Sequence, residues 1–285
     1  MAEKLSEKDI ENINIEGTEE YAVMPLRNTV LFPQQVIPIY IGREKSLKLI
    51  SDIELEKRKY IIVVAQEDGS IEDPSTEDLY SYGTLATVLK VFAMPDNSKS
   101  AIVQGIARVK ILDYLSKEPY FKAAASKVSD DPISDSLELD DIVDNLRTSF
   151  ADLIKVAPNL TEEHTGMLSN IKKPNRLVDR AVSLMTLPNQ EKQEILEEVN
   201  IKSRIDKAIS IINREIQRIK LGEEIQTEVH DEIAKTQREY YLREQMKAIQ
   251  KELGEDEGTV ELKELEERIK DAKMPEASEK VAMKE

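Results

Sequence analysis

Apolar and polar positions alternate in short runs between Tyr21 and Val128, whereas beyond about residue 136 the apolar positions recur every three or four residues. The first pattern predicts strands at YAVMPL, VIPIYI, YIIVVAQ, YGTLATVLKVFAM, SAIVQGIARVKIL and YFKAAASKV, divided by turn-rich pieces such as EDGSIEDPS and MPDNSKS. One amphipathic helix, Arg43 to Arg58, interrupts them. In GIARVKIL, Ala107, Val109 and Ile111 point one way and Arg108 and Lys110 the other, the alternation of a half-solvated antiparallel strand. Pro25, Pro33 and Pro38 interrupt apolar strands. Proline cannot donate to a ladder, so these residues must lie at strand ends, bulges or edges, which predicts a small, strongly bent, barrel-like sheet.

The second pattern predicts helices over about 136–156 and 161–171, then from Asn175 and from Glu191, with Pro158, Pro174 and Pro188 as punctuation. From Ile201 no proline occurs until Pro275. Ile205, Ala208, Ile212, Ile216 and Ile219 form a stripe, and helix-forming composition continues to Leu253; unbroken, this helix runs about 50 residues and roughly 75 Å. Its last part, TQREYYLREQMKAIQKELGED (Thr236 to Asp256), has a narrow apolar stripe at Leu242, Met246, Ile249 and Leu253, with Gly254 where a left-handed C-cap belongs. Tyr240 falls outside that stripe. Tyrosine offers area with a polar tip and methionine adapts to varied partners, so Tyr240, Tyr241 and Met246 are the candidate substrate-binding residues; the alternative is that Tyr240 lies flat on a neighbouring helix. Leu262, Leu265, Ile269 and Ala272, at near-heptad spacing in 260–273, suit a helix that returns through GEDEGT and packs on that seam, giving it coiled-coil character.

The chain thus divides into a flexible leader (1–19), a β-rich lobe (20–128), an acidic linker and helix start (129–145), a helical bundle (146–200), a long helix (201–253) and returning helices (254–285). The fold class is α+β. Residues 129–145 hold seven acids and no base, which reads as a solvated hinge, with the joint that proteases cut first at about Ser129 to Ser136. The chain stops within a helical pattern, which leads one to expect a longer protein.

Composition narrows the function by exclusion. The formal charge of −16 opposes a nucleic-acid surface, which needs a basic footprint. There are no cysteines, hence no thiolate metal site or cysteine nucleophile, and the two histidines, His164 and His230, read as surface residues. No apolar run is long enough to cross a bilayer, and the polar N-terminus lacks the apolar core of a signal peptide, so a cytoplasmic protein is expected. No G-x-x-x-x-G-K-[ST] phosphate loop and no G-x-S-x-G elbow is present, although a serine–lysine pair has no fixed spacing. Asp130/Asp131 and Asp140/Asp141 lack the spacing of a calcium loop and read as solvated linker. Neither catalytic residues nor a cofactor or metal site is expected within these residues.

PLRNTVLFP (Pro25 to Pro33), YGTLATV (Tyr82 to Val88), GIARVKIL (Gly105 to Leu112), the EKQEILE stretch from Glu191 and above all TQREYYLREQMKAIQKELGED resemble the N-terminal region of the bacterial Lon proteases. That resemblance implies a PUA-like β lobe that binds substrate, a helical bundle, and a long helix leading to an AAA+ ATPase module and a serine–lysine peptidase domain. It further implies ATP and Mg²⁺ in the ATPase module, a homohexameric parent, and unfolded, damaged or regulatory proteins as substrates. None of the family's catalytic positions has a counterpart here. A stand-alone adaptor with the same β lobe is the alternative, and a long spacer helix argues against it.

Overall fold

The computed structural model describes residues 19–55, 60–131, 137–252 and 257–272, with 274, 275 and 282. The leader, Leu253, Gly254 and the first half of GEDEGT lie outside the described residues, as does 132–136 of the acidic linker. Contacts divide the chain into two compact units, one ending at Ile219 and one beginning at Lys220.

The first unit opens with a six-stranded sheet: β1 (Glu20–Leu26), β2 (Val36–Ile41), β3 (Tyr60–Ala65), β4 (Tyr82–Ala93), β5 (Lys99–Ser116) and β6 (Lys122–Lys127). Helix α1 (Glu44–Leu55) and a short 3-10 turn (Thr76–Asp78) interrupt it. The order is β2-β5-β4-β3-β1-β6, and β5 also pairs with β6. Five strands therefore form a ring while β2 hangs on the outer edge of β5, so the expected barrel is not a clean one. Strand β5 serves three neighbours because bulges opposite β4 and β6 bend it. Pro38 lies in the edge strand β2, where its missing donor costs least. The β1–β3 pair is parallel, because α1 carries the chain back to the starting end.

One glycine is obligatory for this packing. A Cβ on Gly105 would stand 2.3 Å from the Phe32 carbonyl oxygen, because the 32–35 turn lies against β5. There Gln34 N–H donates to Gly105 O at 2.8 Å, with Gln34 at φ 64, and Gly105 N–H donates to Gln35 O at 2.9 Å. This contact joins two of the stretches that carry the family resemblance.

The helices follow as α2 (Leu137–Val156), α3 (Glu162–Ser169), α4 (Pro174–Leu184), α5 (Asn189–Glu197) and α6 (Ile201–Glu252). The fixed φ of Pro174 suits the first position of α4, and His164 Nδ1 accepts from Thr161 N–H at the start of α3. One core unites Leu146, Phe150, Leu177, Val182, Ile195, Ile205 and Ile212 with Val30, Phe32 and Ala65 of the β-rich part.

Two expectations fail at this junction. Arg108 does not face water: helices cover that side of β5, and it is 5% exposed. Its Nη2 donates to Asp179 of α4 at 2.5 Å and its Nε to the Leu196 carbonyl at 2.9 Å. Asp130, expected in solvated linker, instead accepts from Arg204 Nη2 of α6 at 2.5 Å and from Asn175 Nδ2 at 2.8 Å. Arg204 is fully buried, and the remaining Arg–Asp separations, Arg108 to Asp130 and Arg204 to Asp179, are both 3.7 Å. Two cations and two anions so alternate around one neutral square, which is how a buried charge is tolerated. Asp140 and Asp141, by contrast, are exposed as expected.

The second unit holds the outer part of α6 and helix α7 (Glu257–Asp271). The expected turn is shorter than GEDEGT, since Glu257, Gly258 and Thr259 are already helical. The seam does not close on itself either: Leu242, Met246 and Ile249 are 52–62% exposed, and Leu262 and Leu265 of α7 are 63% and 57% exposed.

Candidate functional site

Strand β1, the first turn of α1 and the residues entering β6 line an open cavity of about 500 Å³. Its wall is apolar: Val23 of β1, Leu49 of α1, and Tyr120 and Phe121, all buried. The wall is fixed locally by the Val23 N–H, which donates to the Phe121 carbonyl at 2.8 Å. Its mouth is charged. Arg27 follows β1, and Arg43 precedes α1, its carbonyl accepting the first helical bond, from Leu47 N–H at 2.8 Å. Arg43 Nη2 donates to Oε1 of the buried Gln66 at 2.7 Å, and Gln66 Nε2 donates to the Ile71 carbonyl at 3.0 Å, which holds the guanidinium in place. Arg27 is freer; its Nη2 stands 3.9 Å from Glu72, a residue whose side chain is 93% exposed. Burial, and after it the neighbouring Arg27 charge, hold the Arg43 guanidinium below its ordinary value, against weaker pulls from Asp73 and Glu72. Lys45, also at the mouth, is taken up by Glu118 at 2.8 Å.

A second surface lies on the outward face of β2, β5 and β4. Tyr40 pairs with Ser100, and Ser100 with Phe92, so the three form one cross-strand row; Pro38, Ile102 and Lys90 form the next. Tyr40 is 65% exposed and Phe92 40%, and Met94 beyond it is also exposed. Tyr40 Oη donates to Asp96 at 3.0 Å, and the Lys90 ammonium lies 4.6 Å from the Phe92 ring centroid. The opposite face of the same strands points inward, with Ile39, Ala101 and Val103 in the core. Period-two patterning was a sufficient signal for this row, but only the register places its members side by side.

The three residues singled out from sequence, Tyr240, Tyr241 and Met246, are all exposed on α6 in the second unit. They do not converge: at 3.6 residues per turn Met246 is about 120° around the helix from Tyr240 and about 140° from Tyr241. Tyr241 Oη accepts from Gln245 Nε2 at 3.0 Å. A longer feature was missed in the sequence. Leu221, Ile225, Val229 and Ile233 recur every four residues at 49–57% exposure, and the same row passes through Tyr241 to Ile249. Rows at four-residue spacing are the ridges by which helices interlock.

Among the described residues no group of three His, Asp or Glu side chains is placed to hold a metal ion, and no helix is long and apolar enough to cross a membrane. The apolar cavity with its charged mouth, the aromatic row and the helical ridge are three candidate binding surfaces.

Comparison with known proteins bears on what such a surface serves. Residues 20–214 match the family model described as the ATP-dependent protease La (LON) substrate-binding domain. The chain is 41% identical over 265 residues to a protein of Koribacter versatilis named Lon protease, covering 92% of this chain and 32% of that protein. It is 38% identical over 268 residues to the Lon protease of Dictyoglomus thermophilum, covering 94% and 34% respectively. The chain therefore spans about a third of the length of these relatives. The N-terminal domain of a Mycobacterium avium complex Lon protease superposes with a TM-score of 0.57 at 19% identity, over 68% of this chain and 98% of that one, which supports the fold. With a family match across nearly the whole sheet, the short helices and the buried part of α6, this chain belongs to the LON substrate-binding domain family.

Proposed function

We propose that the chain is the substrate-recognition and spacer region of an ATP-dependent serine protease, and that it binds unfolded, damaged or regulatory polypeptides without cleaving them. In this reading ATP, Mg²⁺ and the peptidase site belong to AAA+ and serine–lysine modules outside these residues. The parent works as a homohexamer in the cytoplasm, and this region touches neither nucleic acid nor membrane. The observation that carries the reading is the exposure of large apolar side chains in ordered rows, Tyr40 with Phe92 on the sheet and Leu221 to Ile249 on α6. Such rows mark interaction surfaces.

At 52 residues α6 is about 78 Å long, and a continuous helix is a stiff spacer where a polar loop is not. The recognition half is tested by replacing Tyr240, Tyr241 and Met246 together with serine and measuring binding of an unfolded test polypeptide by fluorescence anisotropy. A tenfold or greater loss, equivalent to about 1.4 kcal/mol, is expected; unchanged affinity would remove these three residues from the binding surface. The spacer half is tested by Ala234→Pro in the full-length protein, which breaks the helix at an exposed position. Degradation of folded proteins should fall well below that of short peptides, and equal losses would instead point to misassembly.

A further inference from the structure

The cavity between β1, α1 and β6 has a chemistry that polypeptide binding in general does not require. Its interior is lined by Val23, Leu49, Tyr120 and Phe121, and its volume of about 500 Å³ is on the scale of a site for a small molecule or a single bulky residue with its neighbour. At the mouth stand two guanidiniums, Arg27 and Arg43, with Glu44, Glu72 and Asp73 beside them, and the Arg27 charge opposes that of Arg43 more strongly than Asp73 or Glu72 singly relieves it. Arg43 is fixed by Gln66, while Arg27, 42% exposed and 3.9 Å from Glu72, keeps donors to spend. The group that fits between two such forks has two acceptor oxygens and a full negative charge, that is, a carboxylate. Attached to an apolar side chain that fills the cavity, this is the C-terminal residue of a polypeptide.

We propose that this cavity captures the C-terminus of a substrate polypeptide, with the terminal α-carboxylate held by Arg27 and Arg43 and a bulky apolar last side chain set against Leu49, Tyr120 and Phe121. The proposal rests on the polypeptide-binding reading above and adds to it a preference for chain ends. Asp and Glu as last residues are disfavoured, because a second carboxylate would enter the apolar interior without a partner.

The test uses the full chain and fluorescent decapeptides that share one neutral sequence and end in Leu as the free acid, in Leu as the amide, or in Asp as the free acid. Loss of charge-assisted hydrogen bonds is expected to weaken the amide about tenfold relative to the Leu acid, and the Asp peptide should bind no better than the amide. Arg27→Ala, a substitution at a half-exposed side chain, should shrink the difference between acid and amide, with the larger loss on the acid, and Arg27→Glu should reverse the order. Equal binding of acid and amide by the unsubstituted chain, an acid preference undiminished by Arg27→Ala, or no binding of either Leu peptide would each overturn the proposal. A backbone-cyclised unfolded polypeptide, which has no C-terminus, separates this outcome from the broader reading: if it still binds while the acid preference is absent, the substrate-binding function stands and the end-capture site falls. Loss of both overturns the two together.

Discussion

The two parts of α6 are written in the same helix-forming residues and meet opposite fates. From Ile201 to Ile219 the helix buries Ile201, Ile205, Ala208 and Ile212, and its fully buried Arg204 closes a square of charges. From Lys220 onward its large apolar residues, Leu221 through Ile249, stand about half exposed. The inner part is held by tertiary packing. The outer part holds its shape through propensity and through near-neighbour contacts such as Lys247 with Glu244 at 3.5 Å. A helix can therefore be a core element at one end and a bare presenting surface at the other with no change in its local code.

The sharpest way to break the contrast is to open the charge square. Asp179→Ala leaves the Arg108 and Arg204 guanidiniums buried with half their counter-charge, and the expected loss is about 3–5 kcal/mol in urea unfolding. Replacing Glu244 by Ala in the outer part should leave the unfolding midpoint where it was. If both substitutions cost the same, the inner square is not what holds the first unit.

A paired truncation of the same residue type comes next. Ile205→Ala empties a fully buried site and should cost about 2–5 kcal/mol, whereas Ile233→Ala, at 51% exposure, should stay within about 0.5 kcal/mol. The second variant should show its effect in polypeptide binding. A comparable stability loss at Ile233 would mean that its row is packed in solution.

The smallest effect expected is in acid. Burial by itself would raise the Asp130 carboxyl, but the Arg108 and Arg204 charges, with hydrogen bonds from Arg204 and Asn175, outweigh it and hold the group below its ordinary value. A carboxyl depressed in the folded state contributes stability that is complete above its unfolded value and is lost as pH falls through the folded one. The Asp130 contribution to the stability of the first unit should accordingly be lost below the usual carboxylate range, and Asp130→Asn should remove it from the pH profile. A profile unchanged by the substitution would take Asp130 out of the square's energetics.

Much of the secondary structure was legible because it follows from periods of 2 and 3.6 and from proline punctuation: the long helix, the bundle helices after Pro158, Pro174 and Pro188, and the strands before Val128 all lie close to where the pattern puts them. The candidate site was legible only in part. Tyr240, Tyr241 and Met246 are exposed as a presenting surface requires, yet their separation around the helix was a matter of angle that residue type alone does not convey. The four-residue row from Leu221 was visible in principle and was hidden behind the more unusual tyrosine pair.

Local interactions are what the sequence by itself determined: which segments are helix or strand, where they stop, and which faces are apolar, since these depend on neighbours within about four residues. Long-range pairing was left to the tertiary structure. The parallel contact of β1 with β3, the closure of β5 onto β6, and the seating of the 32–35 turn on Gly105 each join residues far apart in the chain. The same holds for charge. Arg108 and Asp130 each read as a solvated side chain in its own stretch, and each became a buried partner only because α4 and α6 brought Asp179 and Arg204 to meet them. A lone charge is stable in water and costly inside, so its place is decided by whether the fold supplies its opposite.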